Sequence, residues 1–363
     1  MPDTGIMKTD SEVTTLNADQ KIPYSREYAM VWDHTSDNPN GDMRNMNKPR
    51  RDDVTGLLEI RDARIKRYIR DEWIATGHKV LVQARHDEAG NTLSCENSIK
   101  PMKEEIKKEM GIVPKPATDT SLPANRKRTS GKNKDDDGKT KAIPGLREKL
   151  LQRLMDTYID VRLFGVVVTD ASKELGSTCA LLGPLHVNWS KSVNPTEANA
   201  VKGTSCFSSG EEMGGGNISG QWVVPYSLFK SSAVFHAKTA RRQSINVTEE
   251  DLNAFRTAFI EGLTNYKSTS KNPMPRLLVE VIYKGDTVDG ELDELIDANY
   301  ECGDEELRHI SQVTFDLAKL CGYCIDKAGD EEILKDNIKA VNLYVHRGVN
   351  YINFSNKFKV VTF

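Results

Sequence analysis

Residues 25–72 read SREYAMVWDHTSDNPNGDMRNMNKPRRDDVTGLLEIRDARIKRYIRDE, and three textures follow one another in them. Residues 24–33 form a short apolar strand with Val31 and Trp32 at its end. Residues 38–51 form a loop dense in turn formers and cations. Leu58, Ile65, Ile69 and Trp73 then recur at helical spacing, which predicts an amphipathic helix over 58–75. Arg64, Arg67 and Arg70 follow at i+3 on its opposite face, with Arg61 to one side. A basic, Asn- and Gly-rich loop and a ridge of arginines at one end of a strand–helix unit suit a phosphodiester backbone, whose binding is dominated by Lys and Arg contacts.

Outward from this block, 78–87 alternates as a second strand, and 102–110 is a short helix. Residues 114–145 carry almost no apolar side chains, so they cannot bury enough surface to offset their ordering entropy. A helix at 146–158 precedes DVRLFGVVVTD at 160–170, whose β-branched run predicts a buried central strand. Strands at 184–190 and 222–229 flank a Ser-, Gly- and Asn-rich segment, 191–221. Thr248 is a good N-cap for a helix to about Leu263, with Glu250 and Asp251 in its first turn. A strand at 276–285, a helix at 305–326 and two short terminal strands complete the order. It predicts an α+β fold with a ferredoxin-like or RRM-like core carrying large insertions. The division expected is a flexible tail at 1–23 and one core over 24–363, interrupted by a charged insertion at 86–145 and a hairpin at 191–221.

The net charge of −3 does not point to nucleic acid, but its distribution does. Positions 44–70 hold nine Lys or Arg against four Asp or Glu, and 126–149 again nine against four, whereas 285–307 hold ten acids and no base. Such separation offers one face to an anion and another to a basic partner, including a neighbouring copy of the chain; each run read singly is an ordinary solvated face. The polar N-terminus is neither a secretory signal nor a transit peptide, and no apolar run approaches the ~18 residues that span a bilayer. A soluble, cytoplasmic protein without a disulfide framework is expected.

In Asp37-Asn38-Pro39-Asn40-Gly41-Asp42, Pro39 fixes φ and Gly41 permits positive φ, which predicts a tight turn. Its N–H groups can form a nest for a phosphate oxygen, although such turns are commonly structural. The setting favours a ligand: Asn38, Asn40, Arg44, Lys48, Arg50 and Arg51 stand together in one loop beside Arg64 and Arg67. Arg162, Phe164, Gly165 and Val167 match the RNP1 signature, but Val166 and Thr169 stand at its aromatic positions, so a core strand is expected there. The Gly214–Gly216 run is not a P-loop, since no Lys-Ser/Thr ending or helix follows. Phe207 and Met213 lie near the hairpin's tip, where an apolar group can wedge between bases. Cys302, His309, Cys321 and Cys324 could hold zinc by count, but no second CxxC completes the set. Asp33, Asp37 and Asp42 could hold Mg²⁺ for phosphodiester cleavage, or equally cap turns and pair with arginines.

NPNGD followed by NKPRRD, TG and IRDARIKRYIRDEW, then DVRLFGVVV, GPLHVNWSKSVNPTEA, the Gly-rich arm, WVVPYSLF and AKTA, resembles the RNA-binding backbone subunit of type I CRISPR effector complexes. Subtypes I-B and I-C are the most similar, and the blocks cover roughly residues 24–265. The resemblance implies an RRM-like palm with a hairpin thumb at 191–221. It implies many copies polymerising along a CRISPR guide RNA, with phosphates held by 38–51 and the helix arginines. Partners implied are the guide RNA, target DNA paired to it, further copies, the other Cascade subunits and a separately recruited helicase-nuclease that does the cutting. No cofactor and no catalytic residue are implied. Two other functions stay open: a metal-dependent endoribonuclease of type III kind, using an aspartate of 33–42, and a free-standing RNA-binding module.

Overall fold

The computed structural model describes residues 22–112, 142–169, 172–176, 178–204, 218–268 and 270–363. The N-terminal tail, most of 114–145 and the hairpin tip with Phe207 and Met213 lie outside them. The chain opens with β1 (Arg26–Asp37), the paired stubs β2 (Gly41–Asp42) and β3 (Lys48–Pro49), β4 (Leu57–Ile60) and helix α1 (Asp62–Ala75). Helices α2 (Cys95–Glu109), α3 (Leu146–Thr157) and α4 (Ile159–Phe164) follow, then β5 (Gly165–Val168) and β6 (Cys179–Leu182). Next come β7 (Leu185–Val187), β8 (Ser190–Pro195), β9 (Asn199–Thr204), β10 (Ile218–Phe235), α5 (Ala237–Arg242), α6 (Glu249–Asn265) and β11 (Pro273–Tyr283). The last part holds β12 (Asp297–Asn299), β13 (Thr314–Asp316), α7 (Ala318–Cys324), β14 (Ile325–Ala328), β15 (Glu331–Leu334), β16 (Ile338–Val345), β17 (Asn350–Ile352) and β18 (Lys359–Thr362).

The main sheet runs β18-β16-β11-β1-β10-β8-β4, with β7 and β9 also on β10. β1 is antiparallel to both neighbours. Helix α6 connects β10 to β11, the two neighbours of β1, while α1 follows the edge strand β4. The buried residues of both helices share one core cluster on the same face of the sheet. The helices approach closely because Gly262 lacks a side chain: a Cβ there would lie 2.8 Å from the Tyr68 carbonyl. Thr248 and Asp251 close a capping box at the start of α6, as the acids after Thr248 predict. β1 alternates between two cores. Tyr28, Met30 and Trp32 join the helices, while Ala29 and Val31 join a second cluster formed with the C-terminal region.

Four expected elements differ. The helix begins at Asp62, because Leu58 and Ile60 alternate inward as β4. Residues 78–87 form no strand; the Asp160 carboxylate accepts the N–H groups of Leu81 and Val82 and holds the segment as an irregular turn. The run at 160–170 splits into α4 and β5 and pairs only with β6, outside the main sheet. Gly165 makes the break, at φ 82° and with a hypothetical Cβ 2.2 Å from the Leu181 carbonyl oxygen. Within 305–326 only α7 is α-helical. Leu307, Ile310, Val313 and Leu317 recur at helix-like spacing and are buried, but short 3₁₀ turns and β13 carry them there.

Candidate nucleic-acid interface

The basic loop is built on buried amides and carboxylates. Asp37, at the end of β1, meets His34 Nδ1 at 2.6 Å and accepts the N–H of Asn272. The Asn38 side-chain amide donates to the Asn47 carbonyl at 2.8 Å, and that of Asn40 to the Glu59 carbonyl at 3.2 Å. These two residues are 2% and 8% exposed, so they hold the loop from beneath. The left-handed turn falls at Met46 and Asn47, at φ 46° and 60°, not at Gly41. Gly41 is required for room: a Cβ would stand 2.0 Å from Asn47 Oδ1 and 2.7 Å from its carbonyl oxygen.

Above this base the cations face outward with unequal commitments. Arg44 is exposed and has no ion pair among the described residues. Lys48 lies 5.3 Å above the Trp222 ring. Arg50 pairs with Asp42 at 3.4 Å, and Arg51 with Glu197 at 3.1 Å. Met43 and Met46 project at 91% and 81% exposure. Trp222 joins this loop to the strand pair β9–β10, its indole N–H donating to the Met46 carbonyl at 3.2 Å. Beyond Val224, the last β10 partner of β1, residues 218–223 pair only with β9. The hairpin therefore leaves the sheet as an arm of about 20 Å at ~3.3 Å per residue.

The arginines of α1 do not form one row. Arg64 lies over the Tyr68 ring at 5.9 Å, and Arg67 pairs with Asp71 at 2.7 Å. Arg70 turns to buried Asp160 at 3.0 Å and serves the fold. Arg61 lies over Trp189 at 5.3 Å, leaving that indole 47% exposed. Trp189 and Trp222 were absent from the expected site. An isolated Trp among Ser, Asn and Gln was the available signal for both.

The aspartates of the metal alternative are dispersed. Asp33 lies on the C-terminal face of the sheet, bonded to the Tyr226 hydroxyl at 2.9 Å and Arg276 Nε at 2.8 Å. Burial pushes its carboxyl up while the Arg276 charge pulls it down. Asp37 pairs with His34 on the helix face, and Asp42 belongs to the loop. Among the described residues no group of three or more His, Cys, Asp or Glu side chains converges to hold a metal ion. Cys324 is buried, its thiol pushed up to about 12 by that burial, and Cys321 donates to the Asn353 carbonyl at 3.1 Å. Arg162 pairs with Asp251 through two nitrogens at 2.9 and 2.7 Å, and Phe164 stacks on Trp73 at 5.4 Å. Arg162 and Phe164 thus serve the core, whereas Val167 is exposed. Across the sheet, buried Glu27 accepts the N–H groups of Asp289, Gly290 and Leu292, pinning the acidic segment against the second core.

Arg44, Lys48, Arg61 and Arg64, without a carboxylate partner among the described residues, stand with two indoles and the β9–β10 arm as a surface whose chemistry suits an anionic polymer. The chain belongs to the CRISPR-associated protein Cas7 family, whose model matches residues 24–318. A CRISPR-associated protein Cas7 of Haloferax volcanii is 26% identical over 328 residues, 85% of this chain and 83% of that protein. Two solved chains are similar at 12% identity. One, from a CRISPR RNA-guided surveillance complex, has a TM-score of 0.42 and covers 88% of each chain. The other, from a pre-nicking surveillance complex, has a TM-score of 0.48 and covers 93% of this chain and 96% of its own. Among the described residues no helix is long and apolar enough to cross a membrane.

Proposed function

We propose that this Cas7-family chain grips its guide RNA between the basic loop, the outer face of α1 and the β9–β10 arm. As a member of the family it is a CRISPR-RNA-binding backbone subunit of a type I complex, and the guide and the other subunits are its partners. The observation that carries the gripping surface is the Trp222 junction. It fastens the arm to the loop with Lys48 stacked on the same indole. Arg44, Lys48, Arg50 and Arg51 then supply phosphate contacts, with Asn38 and Asn40 fixing the loop that presents them.

In this proposal the main sheet with α1 and α6 packed on one face makes a ferredoxin-like, RRM-like palm, and the arm is its thumb. Phe207 and Met213 belong to the thumb's apolar tip. Copies polymerise along the guide, the acidic segment of one meeting a basic face of the next. The guide is held by its backbone and presented for pairing with target DNA, so sequence is read by base pairing. The subunit itself does not cut; a recruited helicase-nuclease does. The separation of Asp33, Asp37 and Asp42 supports that division of labour.

The test is size-exclusion chromatography with light scattering and absorbance at 260 and 280 nm, on protein co-expressed with a CRISPR array. A large particle containing RNA of uniform length is expected. A monomer that stays free of nucleic acid even when the other subunits are added would refute the proposal.

A further inference from the structure

The three most exposed large apolar side chains among the described residues all stand between β1 and β4. They are Met43, Met46 and Val54, at 91%, 81% and 93%, and the next, Val167, is at 65%. Single apolar side chains on a surface are ordinary. Here two of them fall three residues apart on one turn and alternate with its cations, as Met43-Arg44-Asn45-Met46-Asn47-Lys48. Arg44 has no ion pair among the described residues, and Lys48 rests only on the Trp222 ring.

The exposure does not come from a loose loop. β2 and β3 pair Gly41 with Pro49 and Asp42 with Lys48. The Asp42 carboxylate accepts the Arg44 N–H at 3.1 Å, and the Asp42 carbonyl accepts the Asn47 N–H at 2.8 Å. Met46 is left-handed at φ 46°, a strained conformation for a residue with a Cβ, and the Trp222 N–H holds its carbonyl there. The fold thus fixes a turn that holds both thioethers in water.

We propose that Met43 and Met46 are base-contacting side chains, which pack on base faces of the bound RNA while the cations beside them hold its phosphates. This rests on the RNA-binding function proposed above and names the part of the loop that meets the bases. Every nucleotide of a single strand presents a phosphate and an apolar base face, the same alternation that this turn carries. A thioether packs on any aromatic ring, so the contact distinguishes a base from no base, and not one base from another. Because the turn is already ordered, the contact costs only the rotamer freedom of two side chains.

The experiment compares the full-length wild type with the double variant Met43→Gln, Met46→Gln by fluorescence anisotropy on two labelled strands. One is an oligouridylate; the other has the same length and phosphates, with abasic tetrahydrofuran spacers in place of its nucleosides. On the oligouridylate the double variant should bind more weakly, by roughly two- to tenfold per methionine. On the abasic strand the two proteins should bind equally, with the same slope of log affinity against log salt. Met43→Leu with Met46→Leu should keep the wild-type advantage, because it keeps the apolar contact. An equal loss on both strands, no loss on either, or a leucine variant that behaves like the glutamine one overturns the base contact and leaves the RNA-binding function standing. Self-association of the wild type without RNA, lost in the glutamine variant, would assign these side chains to a second copy and also overturn it. Failure of the wild type to bind either strand would overturn both.

Discussion

Replacing Lys48 by Ala tests the loop where its commitments are simplest, because the ammonium rests on Trp222 and is paired with no carboxylate among the described residues. One lost phosphate contact on a single strand reduces the slope of log affinity against log salt by ~0.7. Between 1 M and 0.1 M salt that is about 0.7 of a decade, so the variant should bind about fivefold more weakly at 0.1 M, or ~1 kcal/mol, with that electrostatic deficit vanishing at 1 M. The cation–π contact with Trp222 exists in the free chain, so its loss costs ~0.5–1 kcal/mol of stability and leaves the salt slope of binding alone. Arg50 and Arg51 are paired with Asp42 and Glu197 on the surface, where such pairs are worth ~0–1 kcal/mol and a phosphate can displace them. The triple alanine variant of Lys48, Arg50 and Arg51 should therefore lose about 2 in slope. Lys319→Ala, which removes a cation on the acidic side paired with Asp297 at 2.7 Å, should lose none. Fluorescence anisotropy of a labelled guide across a salt series reads both quantities. A wild-type slope in the triple variant would remove this loop from the interface.

Gly41→Ala should displace the loop, since its Cβ cannot coexist with Asn47 in place; hydrogen exchange across 40–50 should rise and RNA binding weaken, while exchange in β1 and β11 stays slow. Asp33→Asn leaves the Arg276 guanidinium buried without its charge partner, and urea unfolding should register a loss approaching ~3–5 kcal/mol. Wild-type complexes should leave guide-complementary RNA intact in Mg²⁺; regular cuts abolished by Asp33→Asn, Asp37→Asn or Asp42→Asn would defeat the non-catalytic proposal. The His186 and His236 rings lie 5.8 Å apart, and both are held below 6.5 in the folded chain, chiefly by burial. Their contribution to stability is present above the unfolded value of 6.5 and lost as pH falls through the lower folded values, so the melting temperature should fall more steeply below about pH 6.5 in wild type than in His186→Gln.

The sequence exposed the elements whose periodicity has a single explanation. β1 is apolar on both faces and was legible as a strand, and α6 announced itself through Thr248 and the acids behind it. The errors fall where an apolar period served another geometry. Leu58 continued the helical phase of Ile65 and Ile69 by coincidence, while its neighbours placed it in β4. The β-branched run after Arg162 looked central, but Gly165 breaks it and the second half pairs at the periphery. Leu307, Ile310 and Val313 show that burial at every third residue needs no helix. Within the candidate site, the cations of the loop were legible as charge, whereas their inequality was not. Which arginine turns inward is decided by distant carboxylates, Asp160 for Arg70 and Asp251 for Arg162, and no local pattern carries that information.

The interface itself is a consequence of strand register. β1 and β10 run antiparallel from Arg26 opposite Phe235 to Asp37 opposite Val224. The end of β1, where the basic loop starts, is therefore the point at which β10 and its partner β9 come free of the sheet. Two features 176 residues apart in the chain are thus delivered to one edge, and Trp222, two residues beyond Val224, is the first indole of the arm that can reach the loop. Moving β10 by one residue would turn every side chain of the strand to the opposite face. Trp222 would then leave Met46 and Lys48, and Tyr226 would leave Asp33. The buried Tyr226–Asp33–Arg276 bonds, four residues along β10 from Trp222, fix the same register inside the sheet, so they hold the base of the arm in place.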